Sequence, residues 1–199
     1  MGLLQPDRYF SRLSHIDIGR DLLGQGLSHV LLDIDNTILT RDTHEVPRDA
    51  RVWLARARDA GIGVCLVSNN WHASVHELAG ELDLPIVAKA LKPLPHGLVI
   101  ARRKLGGTRA DTVMVGDQLL TDVAAAHLAG MKAYMLQPLV EQDLPHTLVL
   151  RNLERMMLGS RQPEPAPPAC RPTAQASAPT APQAALWDAP NTRSQEGSS

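Results

Sequence analysis

Val30-Leu31-Leu32-Asp33-Ile34-Asp35-Asn36-Thr37-Ile38-Leu39 is an apolar run that drives into two carboxylates and then turns apolar again. A short apolar run bounded by polar residues reads as a parallel strand covered on both faces. In sheets of that kind ligands bind beyond the carboxyl ends of the strands. Asp33 and Asp35 therefore sit at the rim where chemistry is done. A strand-like period of two turns both side chains to one side and Ile34 to the other. Two acids at the end of a buried strand need something cationic or reactive nearby.

Working outward, the same pattern recurs. The first strand spans residues 28–35. Residues 62–67 are apolar throughout and end in Ser68-Asn69-Asn70. Ile86-Val87 is a weak third strand that leads to Lys89 and then Lys92-Pro93. Residues 112–115 form a fourth, ending in Gly116-Asp117, and residues 132–136 a fifth. Helical patterns lie between them. One starts at Pro47, where proline suits a first turn, and stops at Gly61. Others span about 71–82, 95–105 and the stretch up to Gly130, and a last one is expected over about 147–158. Strands alternating with helices through short links favour right-handed crossovers and an α/β, doubly wound parallel sheet.

Residues 1–27 mix Tyr9, Phe10, Leu13, Ile16, Leu22 and Leu23 with Arg8, Arg12 and Arg20. Tyr9, Phe10 and Leu13 fall at helical spacing, so a leader helix packed on the domain is expected. A segment resting on a membrane surface is the alternative. The folded domain is assigned to residues 28–158. Residues 159–199 turn to Pro, Ala, Ser, Gln and Thr and are expected to stay disordered, with Trp187 as a chance apolar residue. Cys65 reads as a small buried side chain, and Cys170 has no evident role. Two cysteines make no disulfide framework. The net charge of -1 and the six aromatic residues argue against a nucleic-acid binder. No apolar stretch approaches a bilayer span and no secretion signal opens the chain, so a cytoplasmic protein is expected, with peripheral membrane contact left open.

Polar residues thus close four strands: Asp33 and Asp35, Ser68 and Asn69, Lys89 or Lys92, and Asp117 with Asp122 nearby. A parallel sheet brings all four ends to one edge. Three acids in one pocket repel unless a cation is present, and hard oxygen ligands without His or Cys point to Mg²⁺. A metal beside a carboxylate and a lysine suits phosphoryl chemistry. One carboxylate can attack phosphorus, and another can protonate the leaving oxygen and then activate water.

Asp33-Ile34-Asp35-Asn36-Thr37 resembles the first motif of the haloacid dehalogenase-like (HAD) phosphatases. Ser68, Lys92-Pro93 and Gly116-Asp117 with Thr121-Asp122 resemble the following three. Together with Leu3-Leu4-Gln5-Pro6-Asp7 and Ser68-Asn69-Asn70, they are similar to the YqeG family of HAD subfamily IIIA, related to phosphatidylglycerophosphate phosphatases. The resemblance implies roles. Asp33 would be nucleophile and Mg²⁺ ligand. Asp35 would be acid and base, with its backbone carbonyl on the metal and Thr37 orienting it. Ser68 and the backbone of Asn69 would hold phosphoryl oxygens. Lys92, preferred over Lys89, would neutralise charge, and Asp117 and Asp122 would serve the metal.

The gaps from Thr37 to Ser68 and from Asn70 to Lys92 leave no room for a separate cap domain. An open site accepts a phosphorylated small molecule or a lipid headgroup, or is covered by another subunit. A binding module that kept the fold without turnover is the alternative of a different class. His72 and His76 are four apart, but Ala73 stands where a zinc protease has its acid. No GxGxxG or GxxxxGK[ST] loop occurs.

Overall fold

The computed structural model describes residues 2–39, 45–139 and 162–167. Six parallel strands form one sheet: β1 Arg8–Phe10, β2 His29–Leu32, β3 Gly63–Val67, β4 Ile86–Val87, β5 Thr112–Gly116 and β6 Lys132–Leu136. Their spatial order is β1-β6-β5-β2-β3-β4. Helices α1 Arg48–Asp59, α2 Ala73–Glu81, α3 His96–Lys104 and α4 Ala124–Leu128 connect them, α4 being preceded by a π-helical turn over Leu119–Val123. The chain runs outward through β2, β3 and β4, then returns to the other side of β2 for β5 and β6. This reversal between β2 and β5 is the topological switch point where such sheets hold their ligands.

Strand alternation sorts the core into two layers. Val30 and Leu32 of β2, Val64 and Leu66 of β3, and Val113 and Val115 of β5 pack with α1 and α2. Leu31, Cys65, Val67 and Met114 face the opposite way, with Leu98 and Ala101 of α3 and the Ala124–Ala126 region of α4. Every residue of β2 beyond His29 is fully buried, which is why the strand reads as one apolar run.

Among the described residues, the five strands expected from sequence, the four helices between them and the parallel-sheet class are present, and the N-terminal segment differs. The N-terminal segment does not form the expected helix. Arg8–Phe10 adds an edge strand along Tyr134–Leu136, followed by short 3₁₀ turns at Leu13–His15 and Leu23–Gln25 with a π-helical turn at Ile18–Leu22 between them. Helical spacing was misleading because Tyr9 and Phe10 face opposite layers of a sheet, Tyr9 with the α3/α4 side and Phe10 with the α1/α2 side. The tail also differs locally from a free chain: Glu164 bridges to Phe10, and its carboxylate pairs with Arg8. The helix expected over 147–158, and Cys170 and Trp187, lie outside the described residues.

Candidate active site

Register carries the site residues to one edge. Leu32 is level with Leu66 of β3 and Val115 of β5, so Asp33 is level with Val67 and Gly116, and Ser68 and Asp117 follow one step on. The Asp33 amide continues the ladder to the Val115 carbonyl at 2.9 Å. The chain then turns sharply. The Ile34 carbonyl accepts from Thr37, Ile38 and Leu39, and Asn36 takes a left-handed φ of 63°. Asn tolerates that conformation better than most side chains do.

Asp33, Asp117 and Asp122 are all buried and offer oxygens within 4.8 Å of one another. The Lys92 ammonium lies among them. It donates to Asp33 Oδ1, to Asp122 Oδ1 at 2.6 Å and to the Val67 carbonyl at 3.3 Å. Thr37 Oγ1 donates to Asp33 Oδ2 at 3.1 Å and reaches Asp117 Oδ1 at 3.4 Å. Asp122 Oδ2 accepts from the Gln118 amide at 3.1 Å. Burial is the largest influence on Asp33 and pushes its carboxyl up to about 7; the Lys92 charge pulls it down, while Asp122 and Asp35 push it further up. Burial alone would pull Lys92 down, but Asp122 and Asp33 outweigh it and hold the ammonium above the ordinary lysine range.

Asp35 stands apart from this cluster. Its Oδ2 accepts from Ser68 Oγ at 3.1 Å, and Ser68 Oγ in turn accepts from the Asn70 amide at 3.0 Å. Thr37, expected beside Asp35, hydrogen-bonds Asp33, and Ser68 hydrogen-bonds Asp35. The two candidate lysines also separate. Lys92 is buried in the cluster, whereas Lys89 is exposed, 5.8 Å from the Trp71 ring centre. His72 and His76 are exposed on the α2 side and enter no metal-ligand cluster among the described residues.

Three supporting features were not read from sequence. The Asn69 amide grips the Lys92 backbone from both sides, Oδ1 accepting from Lys92 N at 2.7 Å and Nδ2 donating to Lys92 O at 3.0 Å. Gly116 lets Asp122 lie against the strand, since a Cβ there would fall 2.3 Å from Asp122 Oδ2. Gly97 does the same for the lysine loop, where a Cβ would fall 2.5 Å from the Ala90 carbonyl. The one available signal was glycine itself, at a strand end and inside a helix start, where it weakens the element unless close approach requires it.

Three buried, hard carboxylate donors within ligand distance fit a divalent cation bound by oxygen. The sequence model of the haloacid dehalogenase-like hydrolases matches residues 5–130. The chain belongs to this family. The Bacillus subtilis (strain 168) protein named "Probable phosphatase YqeG" is 29% identical to this HAD hydrolase over 155 residues, 78% of this chain and 90% of that one. The motif-level likeness to YqeG thus extends over most of both chains. A solved crystal structure 16% identical superposes with a TM-score of 0.52, covering 66% of this chain and 83% of its own, which supports the fold. The cobalt-bound deoxy-D-mannose-octulosonate 8-phosphate phosphatase of Haemophilus influenzae is 13% identical, with a TM-score of 0.47 over 67% of this chain and 88% of its own.

Proposed function

We propose that this HAD phosphatase hydrolyses a phosphomonoester through an aspartyl-phosphate on Asp33. The observation that carries the reading is one buried lysine shared by Asp33 and Asp122, with Asp117 in ligand reach of both. Asp33, Asp117, Asp122 and the Asp35 carbonyl would hold Mg²⁺, which supplies positive charge to the phosphoryl oxygens. Asp33 attacks phosphorus and the bond to the ester oxygen breaks. Asp35, held by Ser68, gives its proton to that oxygen. Water then attacks the phosphorus of the aspartyl-phosphate and passes a proton to Asp35. Inorganic phosphate leaves and the Asp33 carboxylate returns. Lys92 and Thr37 hold Asp33 in line for the first step, and Ser68 with the Asn69 backbone steadies the phosphoryl oxygens.

The substrate class taken from the resemblance is phosphatidylglycerophosphate, with a soluble phosphomonoester as the alternative. We place the reaction in the cytoplasm; no helix among the described residues is long and apolar enough to cross a membrane. The test is hydrolysis of a generic aryl phosphate by the full chain with Mg²⁺, and by Asp33→Asn. Loss of a nucleophile is expected to lower kcat by at least roughly a thousandfold. Unchanged turnover in Asp33→Asn overturns the mechanism, and no turnover in the wild-type protein favours a binding module. Phosphatidylglycerophosphate assayed beside soluble esters separates the two substrate classes.

A further inference from the structure

A cavity of about 530 Å³ opens between α1 and the segment that follows β1. Arg48, Val52 and Arg56 of α1 line one side and Arg12 and Ser14 the other, with the buried Trp53 between them. None of these residues belongs to the carboxylate cluster. The volume lies in the range of small-molecule sites. Its two walls are tied to each other. Ser14 Oγ donates to Asp49 Oδ2 at 2.7 Å, and the Trp53 indole donates to the Ile16 carbonyl at 2.8 Å.

The charge of the cavity is one-sided. The arginines of α1 divide by face. Arg51 pairs with Glu81 at 2.7 Å, and Arg58 reaches Asp83 at 3.6 Å and the Leu82 carbonyl at 3.1 Å. Arg48 and Arg56 line the cavity instead, and no acid among the described residues pairs with either. The acid in the lining is Asp49, which Arg12 reaches at 3.4 Å. Burial raises the Asp49 carboxyl, but the Ser14 hydrogen bond and the Arg12 charge outweigh it and hold the group below the usual carboxylate range. Three arginines therefore face one carboxylate, on a chain whose net charge is only -1. Arg48 and Arg56 stand about 12 Å apart along the helix axis, with Val52 exposed between them. That spacing favours an elongated anion over a single point charge.

We propose that this cavity binds a linear, small-molecule polyanion, clasped at its two ends by Arg48 and Arg56 and flanked by Arg12. The planar guanidinium fork matches the paired oxygens of phosphate and carboxylate groups, so the ligand class is an oligophosphate or a compound with an anionic group at each end. The site stands apart from the phosphatase reading and does not depend on turnover.

The experiment is calorimetric titration of the full chain with tripolyphosphate in EDTA. Without a cation, Asp33, Asp117 and Asp122 set three acids around one lysine and repel anions, so the carboxylate cluster does not compete for the ligand. At an ionic strength of about 0.1 M, exposed charges more than about 10 Å away are largely screened. Saturable binding is expected, with inorganic phosphate at least about tenfold weaker. The Arg48→Gln/Arg56→Gln double variant is expected to weaken tripolyphosphate binding roughly a hundredfold, about tenfold for each charge-assisted contact. Arg51→Gln/Arg58→Gln removes the same charge from the same helix and is expected to leave Kd within about threefold. All four arginines are exposed, and circular dichroism verifies that both variants fold. Equal weakening in the two double variants assigns binding to the general field of the helix and overturns the site. Unchanged binding in Arg48→Gln/Arg56→Gln, equal affinity for inorganic phosphate, or no binding by the wild-type chain overturns it as well.

Discussion

At the scale of single residues, the site is a charge problem solved by one lysine. Asp33 and Asp122 share the Lys92 ammonium inside the protein, where an uncompensated charge is expensive. Lys92→Met is therefore expected to destabilise the metal-free protein by about 3–5 kcal/mol, the usual cost of stranding one partner of a buried pair. Urea unfolding in the presence of EDTA measures it, and no change in midpoint would show that the acids are neutral without the lysine. Gly116→Ala acts by geometry. Its Cβ would meet Asp122 Oδ2 at 2.3 Å, so the acid must move and carry Lys92 with it. A displacement near 1 Å costs about a hundredfold in rate, so kcat should fall on that order while circular dichroism is unchanged. The motif residues were legible because each closes an apolar run. The Asn69 grip on Lys92 was not, since no residue pattern in one strand end states its distance from another.

At the scale of elements, the N-terminal segment is held by a buried acid that the sequence reading passed over. Asp21 is fully buried, and its carboxylate accepts from Arg8 at 2.7 Å, from Arg20 at 2.6 and 3.0 Å and from the Asp17 amide at 2.8 Å. Burial raises its pKa, but the hydrogen bonds from Arg20, Arg8 and Asp17 outweigh this and hold it below the usual carboxylate value. The folded pKa lies below the unfolded one. The stabilisation is therefore complete above the unfolded value of about 4 and is lost as pH falls through the folded value. Asp21→Asn should cost about 2–4 kcal/mol at neutral pH, and the gap from wild type should narrow below about pH 4. Denaturation midpoints at the two pH values test this; a gap that widens in acid would contradict it. Asp21 was unreadable in sequence because its partners come from Arg8 in a strand and from Arg20 and Asp17 in a turn. The strand β1 was missed for a related reason. Three residues carry little intrinsic preference, and pairing with β6 decides their conformation.

At the scale of the whole molecule, the proposed cation site at Asp33, Asp117 and Asp122 would couple folding to metal. These residues leave from β2, from β5 and from the turn before α4, so the ligand set exists only when the sheet is assembled. Mg²⁺ at a hundred times its Kd should add about 2.7 kcal/mol, or very roughly 5–10 °C in Tm. EDTA should reverse the shift and Asp117→Asn should abolish it; an equal shift in that variant would place the ion elsewhere. The doubly wound sheet itself was legible from alternating apolar runs, and the switch point follows from the strand order. That order has a further consequence for how the chain comes into being. Among the six described strands, β1 leaves the ribosome before the others and its neighbour β6 after them. During synthesis, Phe10 has no β6 residues beside it until nearly the entire domain has emerged. The nascent chain must therefore carry its opening strand unpaired, past every other strand of the sheet, before the edge can close.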